Sequence, residues 1–326
     1  GGFPSFLLPL DLPFCVSPVL ARLRPRALIV VETELWPVLL ARAQRAGAAV
    51  ALVNGRISAK SWPRYRLIRP FLRRTLSRFS ALGMRTAEDR DRIVALGATP
   101  ERTVVTGDLK MELEPDVLHR AEARRRFRLS EEDLVLTAGS TREGEEPLVL
   151  GALAKARQGK PSGTLRCLIA PRHLRRVGDA LAAASAAGLT AATLSDVEAG
   201  LADAPIVIVL DRLGELPAAY AAGDVAFVGG TLVPVGGHNP YEPALLGRPV
   251  LVGPHTEGIS EAVAGLLQTR GAIQVRDAAD LTVRLSKLLG NLAHRVEMGR
   301  RARGAVDLRR GALAKTLDLL TPILGR

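Results

Sequence analysis

Short, largely apolar runs alternate with helix-patterned segments along the entire chain. Ala27-Leu28-Ile29-Val30-Val31, Ala48–Val53, Thr103–Val105, Leu134–Ala138, Leu165–Ala170, Ile206–Leu210, Val225–Val228 and Pro249–Val252 have the composition of strands covered on both faces. Between them lie segments with helical spacing. Pro37 to Ala46 has Pro in its first turn and Gly47 past its end, and Thr86–Leu96 is a second helix of this kind. Pro63–Arg78 is strongly basic, with Arg64, Arg66, Arg69, Arg73, Arg74 and Arg78 interleaved with Leu67, Ile68, Phe71, Leu72 and Leu76, and Pro70 should split it. Strand–helix alternation of this sort predicts an α/β protein built on parallel sheets. In such sheets ligands bind at the loops that follow the carboxyl ends of the strands.

The chain has 326 residues, more than one ordinary core accommodates, which predicts two domains of roughly 130–200 residues each. The charged segment 107–132, with Pro115 and the cluster Arg124–Arg126, is where the pattern restarts and where the junction is expected. No apolar run reaches the ~18 residues of a spanning helix. Net charge is +12, which fits either an Arg-rich solvated surface or anionic partners such as nucleic acid, lipid headgroups or phosphorylated substrates. No arginine-rich tail, aromatic RNA-binding motif or zinc-finger spacing supports nucleic acid. Cys15 and Cys167 stand far apart, in no metal or redox spacing, which suggests a reduced cytoplasmic protein. The start, Gly1-Gly2-Phe3-Pro4, has neither an initiator Met nor a basic-then-apolar signal, so the sequence reads as trimmed.

Several strand-end loops carry side chains suited to chemistry. Gly229-Gly230-Thr231 and Gly236-Gly237-His238-Asn239-Pro240-Tyr241-Glu242-Pro243 hold two glycine pairs that permit positive φ and close backbone approach to a ligand. A helix beginning near Asn239–Pro243 would turn its N–H groups toward a phosphate. Alternatively, Asn239, Pro240 and Glu242 are simply a capping box. Gly139-Ser140-Thr141 offers amides and hydroxyls to a phosphate, or is a plain helix cap. Pro171-Arg172-His173 places a guanidinium at a strand end, either binding phosphate or solvated. His255 in Gly253-Pro254-His255 touches sugar or phosphate, or is a turn residue. In the first half, Glu32-Thr33-Glu34-Leu35-Trp36-Pro37 sets two carboxylates and an indole at a strand end. They suit an acceptor hydroxyl, a positively charged anomeric carbon and sugar stacking, or else helix capping and core packing. Asn54-Gly55-Arg56-Ile57-Ser58 leads into the basic segment, which is either a contact for an anionic membrane or phosphorylated lipid, or a solvated face.

Taken in order, Glu32–Pro37, Asn54–Ser58, Thr106-Gly107-Asp108-Leu109-Lys110, Ala138-Gly139-Ser140-Thr141-Arg142-Glu143-Gly144-Glu145-Glu146, Pro171-Arg172-His173 and Val228-Gly229-Gly230 … Gly237–Pro243 resemble the 3-deoxy-D-manno-octulosonic acid (Kdo) transferases over essentially the whole chain. The resemblance implies an α/β fold of the GT-B class, two Rossmann-like parallel-sheet domains facing a central cleft, with the N-terminal domain incomplete. On this basis the domains are drawn at residues 1–115 for the acceptor, a lipid A precursor, and 116–308 for the donor, CMP-Kdo, with residues 309–326 as a helix packing back on the first domain. The implied reaction is an inverting, metal-independent transfer at the cytoplasmic face of the bacterial inner membrane, with no cofactor. Carried over motif by motif, Pro171, Arg172, Asn239 and Glu242 would contact CMP, with Glu242 on the ribose hydroxyls. Gly229, Gly230, Gly236, Gly237 and His238 would lie near it, and Ser140 and Thr141 would face the cleft. One of Glu32 and Glu34 would be catalytically important, with Glu32 nearer the strand end. Arg56, Ser58 and Trp36 would serve the acceptor.

The sequence departs from the family's pattern at Gly55, Asp108 and Gly258, where Ala, Asn and Asn are usual. The family also normally begins with a membrane-anchoring helix and a Ser-Val-Gly-Glu motif whose Glu is taken as the general base. The segment here begins after it, so the expectation is retained CMP binding with little or no transfer. Two other classes fit parts of the pattern. A GT-B nucleotide-sugar epimerase would prefer a uridine nucleotide. A non-enzymatic basic protein for anionic lipid or RNA would bind with steep salt dependence and no nucleotide selectivity.

Overall fold

The computed structural model describes residues 5–58, 61–109, 112, 118–158 and 165–325. The Gly1-Gly2-Phe3-Pro4 terminus, Lys110, and Pro115 with the domain boundary drawn there lie outside the described residues. The chain divides into two compact units, Gly1–Leu113 with Arg309–Arg326, and Glu114–Leu308.

The first unit carries a parallel sheet of β1 (Ala27–Val31), β2 (Ala49–Gly55), β3 (Ala81–Met84) and β4 (Thr103–Val105), in that spatial order. Side chains alternate across it. Val30, Val50, Leu52, Leu82 and Met84 enter a core closed by Leu39, Leu40, Leu72, Leu76 and Ile93 from the helices. On the opposite face, Ala51 and Val53 meet Leu320 of the helix Ala312–Leu324. Glu112 anchors the start of that helix by accepting the Gly311 and Ala312 amides at 2.6 and 2.8 Å. The basic segment forms two helices, Trp62–Leu67 and Arg69–Leu76, parted at Ile68. Pro70 in the first turn of the second has no N–H to continue the earlier ladder.

The second unit carries β5 (Leu134–Thr141), β6 (Leu165–Pro171), β7 (Ala191–Thr193), β8 (Val207–Val209), β9 (Val225–Val228), β10 (Val250–Val252) and β11 (Ala272–Gln274). They form one parallel sheet in the order β11-β10-β9-β5-β6-β8-β7. Helices cover both faces. Leu136, Ala138, Cys167 and Ile169 pack on one side, while Val135, Leu168 and Ala170 pack on the other. That double burial explains why these strands are apolar without polar alternation. Three short strands, β3, β7 and β11, were not legible as apolar runs.

Part of the basic excess is structural. Arg124, in the cluster expected at the junction, is fully buried within the second unit. It donates to the carbonyls of Ala222 at 2.9 Å and Asp133 at 2.7 Å. Arg166 is likewise buried, on Pro205 O and Asp133. These guanidiniums tie chain ends together and are not available to an outside anion.

Candidate functional site

In the second sheet the chain runs from β5 out through β6 to β8 and β7, then returns across β5 to β9, β10 and β11. The strand order reverses at β5, and the loops after β5, β6 and β9 diverge around the crevice this leaves. A cavity of about 260 Å³ lies there, lined by Ser140, Arg172, Leu216, Tyr220, His238, Asn239 and Glu242. A second, of about 140 Å³, shares Ser140 and Arg172 and adds Pro171 and the loop after β8, including Arg212, Gly214 and Glu215. That last loop carried no role in the sequence reading. Its signal there was a charged pair, Asp211-Arg212, followed by a glycine just past an apolar run.

The end of β5 separates two residues that the sequence placed together. The β5–β6 register shifts between Gly139 and Thr141, and Ser140 stands at φ +56°. Such an irregularity re-aims a side chain, and Ser140 lines both cavities. Thr141, expected beside it in the cleft, is instead fully buried, with its hydroxyl on Glu146 Oε1 at 3.2 Å.

The glycine pairs have a structural occupation. The buried Glu145 carboxylate accepts the amides of Gly230, Thr231 and Leu232 at 2.6, 3.0 and 2.8 Å, and that of Arg142 at 2.8 Å. The amides that follow the first glycine of this loop are therefore taken by a carboxylate of the same unit. Gly229 is required because a Cβ there would stand 2.4 Å from the Ser140 carbonyl oxygen. Gly237, at φ +88°, would drive a Cβ to 2.4 Å from Ile259 Cδ1, and Gly236 accepts the Gly258 amide at 2.9 Å. What this loop delivers to the cavity is the side chains that follow the glycines.

Those side chains are His238, Asn239 and Glu242. The expected helix starts at Tyr241 and ends at Leu245, so it is barely one turn and its dipole is correspondingly small. Asn239 Oδ1 accepts the Tyr241 amide at 3.1 Å, and its Nδ2 donates to Glu242 Oε1 at 3.3 Å. Solvent reaches Glu242, yet protein packed around its carboxyl raises its pKa against the lowering effect of Asn239. His238 is pushed down to about 4 by burial, with Arg142, Arg172 and His173 adding to the effect. Arg142 was quoted in the sequence without a role. Its Nε donates to His238 Nε2 at 3.0 Å, and its Nη1 lies 3.1 Å from His173 Nε2. Arg172 is exposed; its amide donates to Thr141 O at 3.0 Å, and its side chain makes no hydrogen bond or ion pair among the described residues. His255 lines neither cavity; its Nδ1 is 3.9 Å from Glu257 Oε1.

In the first unit, Glu32 ends β1 at φ +62°, a left-handed conformation rare outside glycine. Its amide donates to Val53 O at 2.9 Å. Glu34 Oε2 accepts the Trp36 indole N–H at 3.0 Å, and Trp36 is half-buried against the core. Neither glutamate caps the helix Pro37–Arg45; Asp11 does, accepting the Val38 and Leu39 amides at 3.0 and 2.8 Å. The Thr33 hydroxyl bridges the backbone N–H and carbonyl of Arg56, joining the loops after β1 and β2. Arg56 is exposed, and Ser58 Oγ is paired with Ser61 at the start of the basic helices. Among the described residues, no group of three or more His, Cys, Asp or Glu could hold a metal ion, and no helix is long and apolar enough to cross a membrane.

The model of the family described as 3-deoxy-D-manno-octulosonic-acid transferase matches residues 3–113. The 3-deoxy-D-manno-octulosonic acid transferase of Bordetella pertussis is 35% identical over 330 aligned positions, spanning 100% of this chain and 76% of that protein. Among solved structures, the C-terminal CMP-Kdo binding domain of WaaA from Acinetobacter baumannii is similar at 28% identity and TM-score 0.51, over 57% of this chain and 95% of that one. A glycosyltransferase from Rickettsia africae shares the fold alone, at 12% identity and TM-score 0.62, over 98% of this chain and 84% of that one. The architecture is that of the GT-B glycosyltransferases. With a relative this similar across its full length, the chain belongs to the 3-deoxy-D-manno-octulosonic acid transferases, a family of glycosyltransferases.

Proposed function

We propose that the second unit binds CMP-Kdo in the cavity after β5, β6 and β9, and that the enzyme transfers Kdo to a hydroxyl of a lipid A precursor, with inversion and without a metal. The observation that carries this reading is the gathering of Ser140, Arg172, His238, Asn239 and Glu242 around one cavity, from three separate loops. Arg172 has a guanidinium free to pair with the phosphate. Ser140 and His238 add hydrogen-bond donors beside it. Asn239 and Glu242 suit the ribose hydroxyls, since a carboxylate oxygen accepts from a vicinal diol.

In the reaction, the acceptor oxygen forms a bond to the anomeric carbon as the bond from that carbon to the phosphate oxygen breaks. The electron pair leaves on CMP, and the hydroxyl proton passes to a carboxylate base. Arg172 stabilises the charge that accumulates on the leaving phosphate. Glu32 is assigned to the positive charge that develops at the anomeric carbon. Its strained backbone supports that choice. Arg56, Ser58 and Trp36 are assigned to the acceptor.

The two basic helices are assigned to the anionic cytoplasmic face of the inner membrane. Leu67, Ile68 and Phe71 are exposed there beside Arg64, Arg66, Arg69, Arg73 and Arg74, the composition of an interfacial amphipathic surface. Calorimetric titration of the chain with CMP and with UDP, at low and at raised salt, tests the donor assignment. Selective CMP binding at both salt levels supports it. Preference for UDP, or binding lost steeply with salt for both nucleotides, overturns it.

A further inference from the structure

We propose that Arg142 is a positioning residue of the donor cavity: its two donations hold His238 and His173 as neutral rings protonated on Nδ1, so that His238 offers the ligand a fixed hydrogen-bond donor across the neutral pH range. The inference rests on the reading of that cavity as the CMP site.

A guanidinium has five N–H donors and no acceptor. Arg142 Nε donates to His238 Nε2 at 3.0 Å, and Nη1 lies 3.1 Å from His173 Nε2. Both Nε2 atoms must therefore accept, and the only proton left to each neutral ring is on Nδ1. Protonating either ring would put an N–H against an N–H and a cation against a cation. Arg142 makes no ion pair with a carboxylate among the described residues, and its side-chain hydrogen bonds go to these two rings.

The surroundings point the same way. Arg142 comes from the loop after β5, while Arg172 and His173 come from the loop after β6. Glu242 lines the same cavity, and Glu257 lies beside Gly236 on the far side of the glycine loop. His173 also faces Arg175 and Arg176. Both imidazoles are shifted toward the neutral form, His238 to about 4. Burial is the larger cause for His238 and Arg142 adds to it, so a ring released from Arg142 moves back toward the ordinary 6.5.

The test uses Arg142→Met in the full chain. The Arg142 amide is held by Glu145 Oε2 at 2.8 Å, so the loop keeps its anchor when the side chain changes. Nitrogen-detected NMR of the histidine rings reads tautomer and titration. The wild type should show His238 protonated on Nδ1 and uncharged to below pH 5. The variant should populate the Nε2–H form and titrate at least one pH unit higher. CMP titration supplies the second readout, taken as the ratio of variant to wild-type affinity at each pH so that the ligand's own phosphate titration cancels. That ratio should show a loss of about tenfold at pH 8, narrowing toward pH 5.5 as the released ring gains charge. Arg142→Lys, which can serve one ring, should recover part of the loss.

Unchanged ring titration in Arg142→Met overturns the proposal. So does a changed titration with CMP affinity equal to wild type at every pH. Failure of the wild type to bind CMP is a different result, for it removes the donor-site reading itself.

Discussion

The carboxylate of Glu145 accepts the amide of Gly230 at 2.6 Å. Glu145 is fully buried and also receives Thr231, Leu232 and Arg142. It acts as an internal anion, filling from within the kind of amide cluster that elsewhere binds phosphate. Glu145→Gln keeps the shape but turns an NH2 group against amide donors. Hydrogen bonds to charged groups are worth ~1.5–3 kcal/mol each, and the neighbours relax in part, so the expected loss is roughly 3 kcal/mol. The midpoint of urea unfolding measures it, and a shift below ~0.5 kcal/mol would contradict the anchoring role.

Gly229→Ala should be among the most damaging single-methyl additions in the protein. The new Cβ meets the backbone of the Ser140–Thr141 stretch, with the Ser140 carbonyl carbon at 2.6 Å and Thr141 Cα at 2.6 Å. Backbone cannot step aside as a flexible side chain can, so a cost of ~3 kcal/mol is expected. Gly151→Ala is the control. It sits within the helix Glu145–Arg157 with nothing within 4 Å of the added carbon, and should stabilise by ~0.5–1 kcal/mol. Thermal melts of the two variants should move in opposite directions.

Arg172→Ala should leave the fold intact, because the exposed side chain makes no hydrogen bond among the described residues. CMP affinity should fall by about 10–100-fold, the worth of one charged hydrogen-bonded contact. Calorimetry reads the loss. Equal affinity in the variant would remove Arg172 from the site.

The state of His238 has a stability consequence. Its folded pKa of about 4 lies below the unfolded value of about 6.5. Between those values the unfolded chain binds the extra proton, so stability falls as pH falls through that window and stops changing on this account below it. His238→Gln should make the melting temperature less sensitive to pH between about 6.5 and 4 than it is in the wild type. Carboxylates contribute equally to both melts, so the difference isolates the imidazole.

Glu32→Gln and Glu34→Gln separate the paired acids. In the enzyme carrying its general base, transfer of Kdo should fall by about 10²–10³-fold in the first, the usual effect of removing one electrostatic contact to a transition state. The second should lose less, and its amide oxygen can still accept the Trp36 indole N–H, so stability should change little. CMP binding should be unchanged in both. A reversed order of activities would move the assignment to Glu34.

Much of the second unit was legible from apolar runs of four residues or more. β5, β6 and β9 are long enough, and flanked clearly enough by Gly or Pro, to stand out before any folding is considered. β7, β8, β10 and β11 have three residues each. The sequence showed β8 and β10 because longer apolar runs surround them. Ala191–Thr193 and Ala272–Gln274 have no such frame, and β3 carries Gly83 at its centre. These three are strands because neighbours supply their hydrogen bonds, which no local pattern encodes.

The same division runs through the site. Ser140, Arg172, His238, Asn239 and Glu242 could be named from strand-end loops alone, since a parallel sheet sends all such loops to one edge. The sequence by itself therefore determined the fold class and the residues that crowd that edge. Only the tertiary structure decided that Thr141 turns inward, that Glu145 takes the amide of Gly230 from 85 residues away, and that Arg142 bridges two histidines. Those outcomes turn on hydrogen-bond partners far apart in the chain, and a buried donor or acceptor finds its partner by proximity in space, which sequence order does not record.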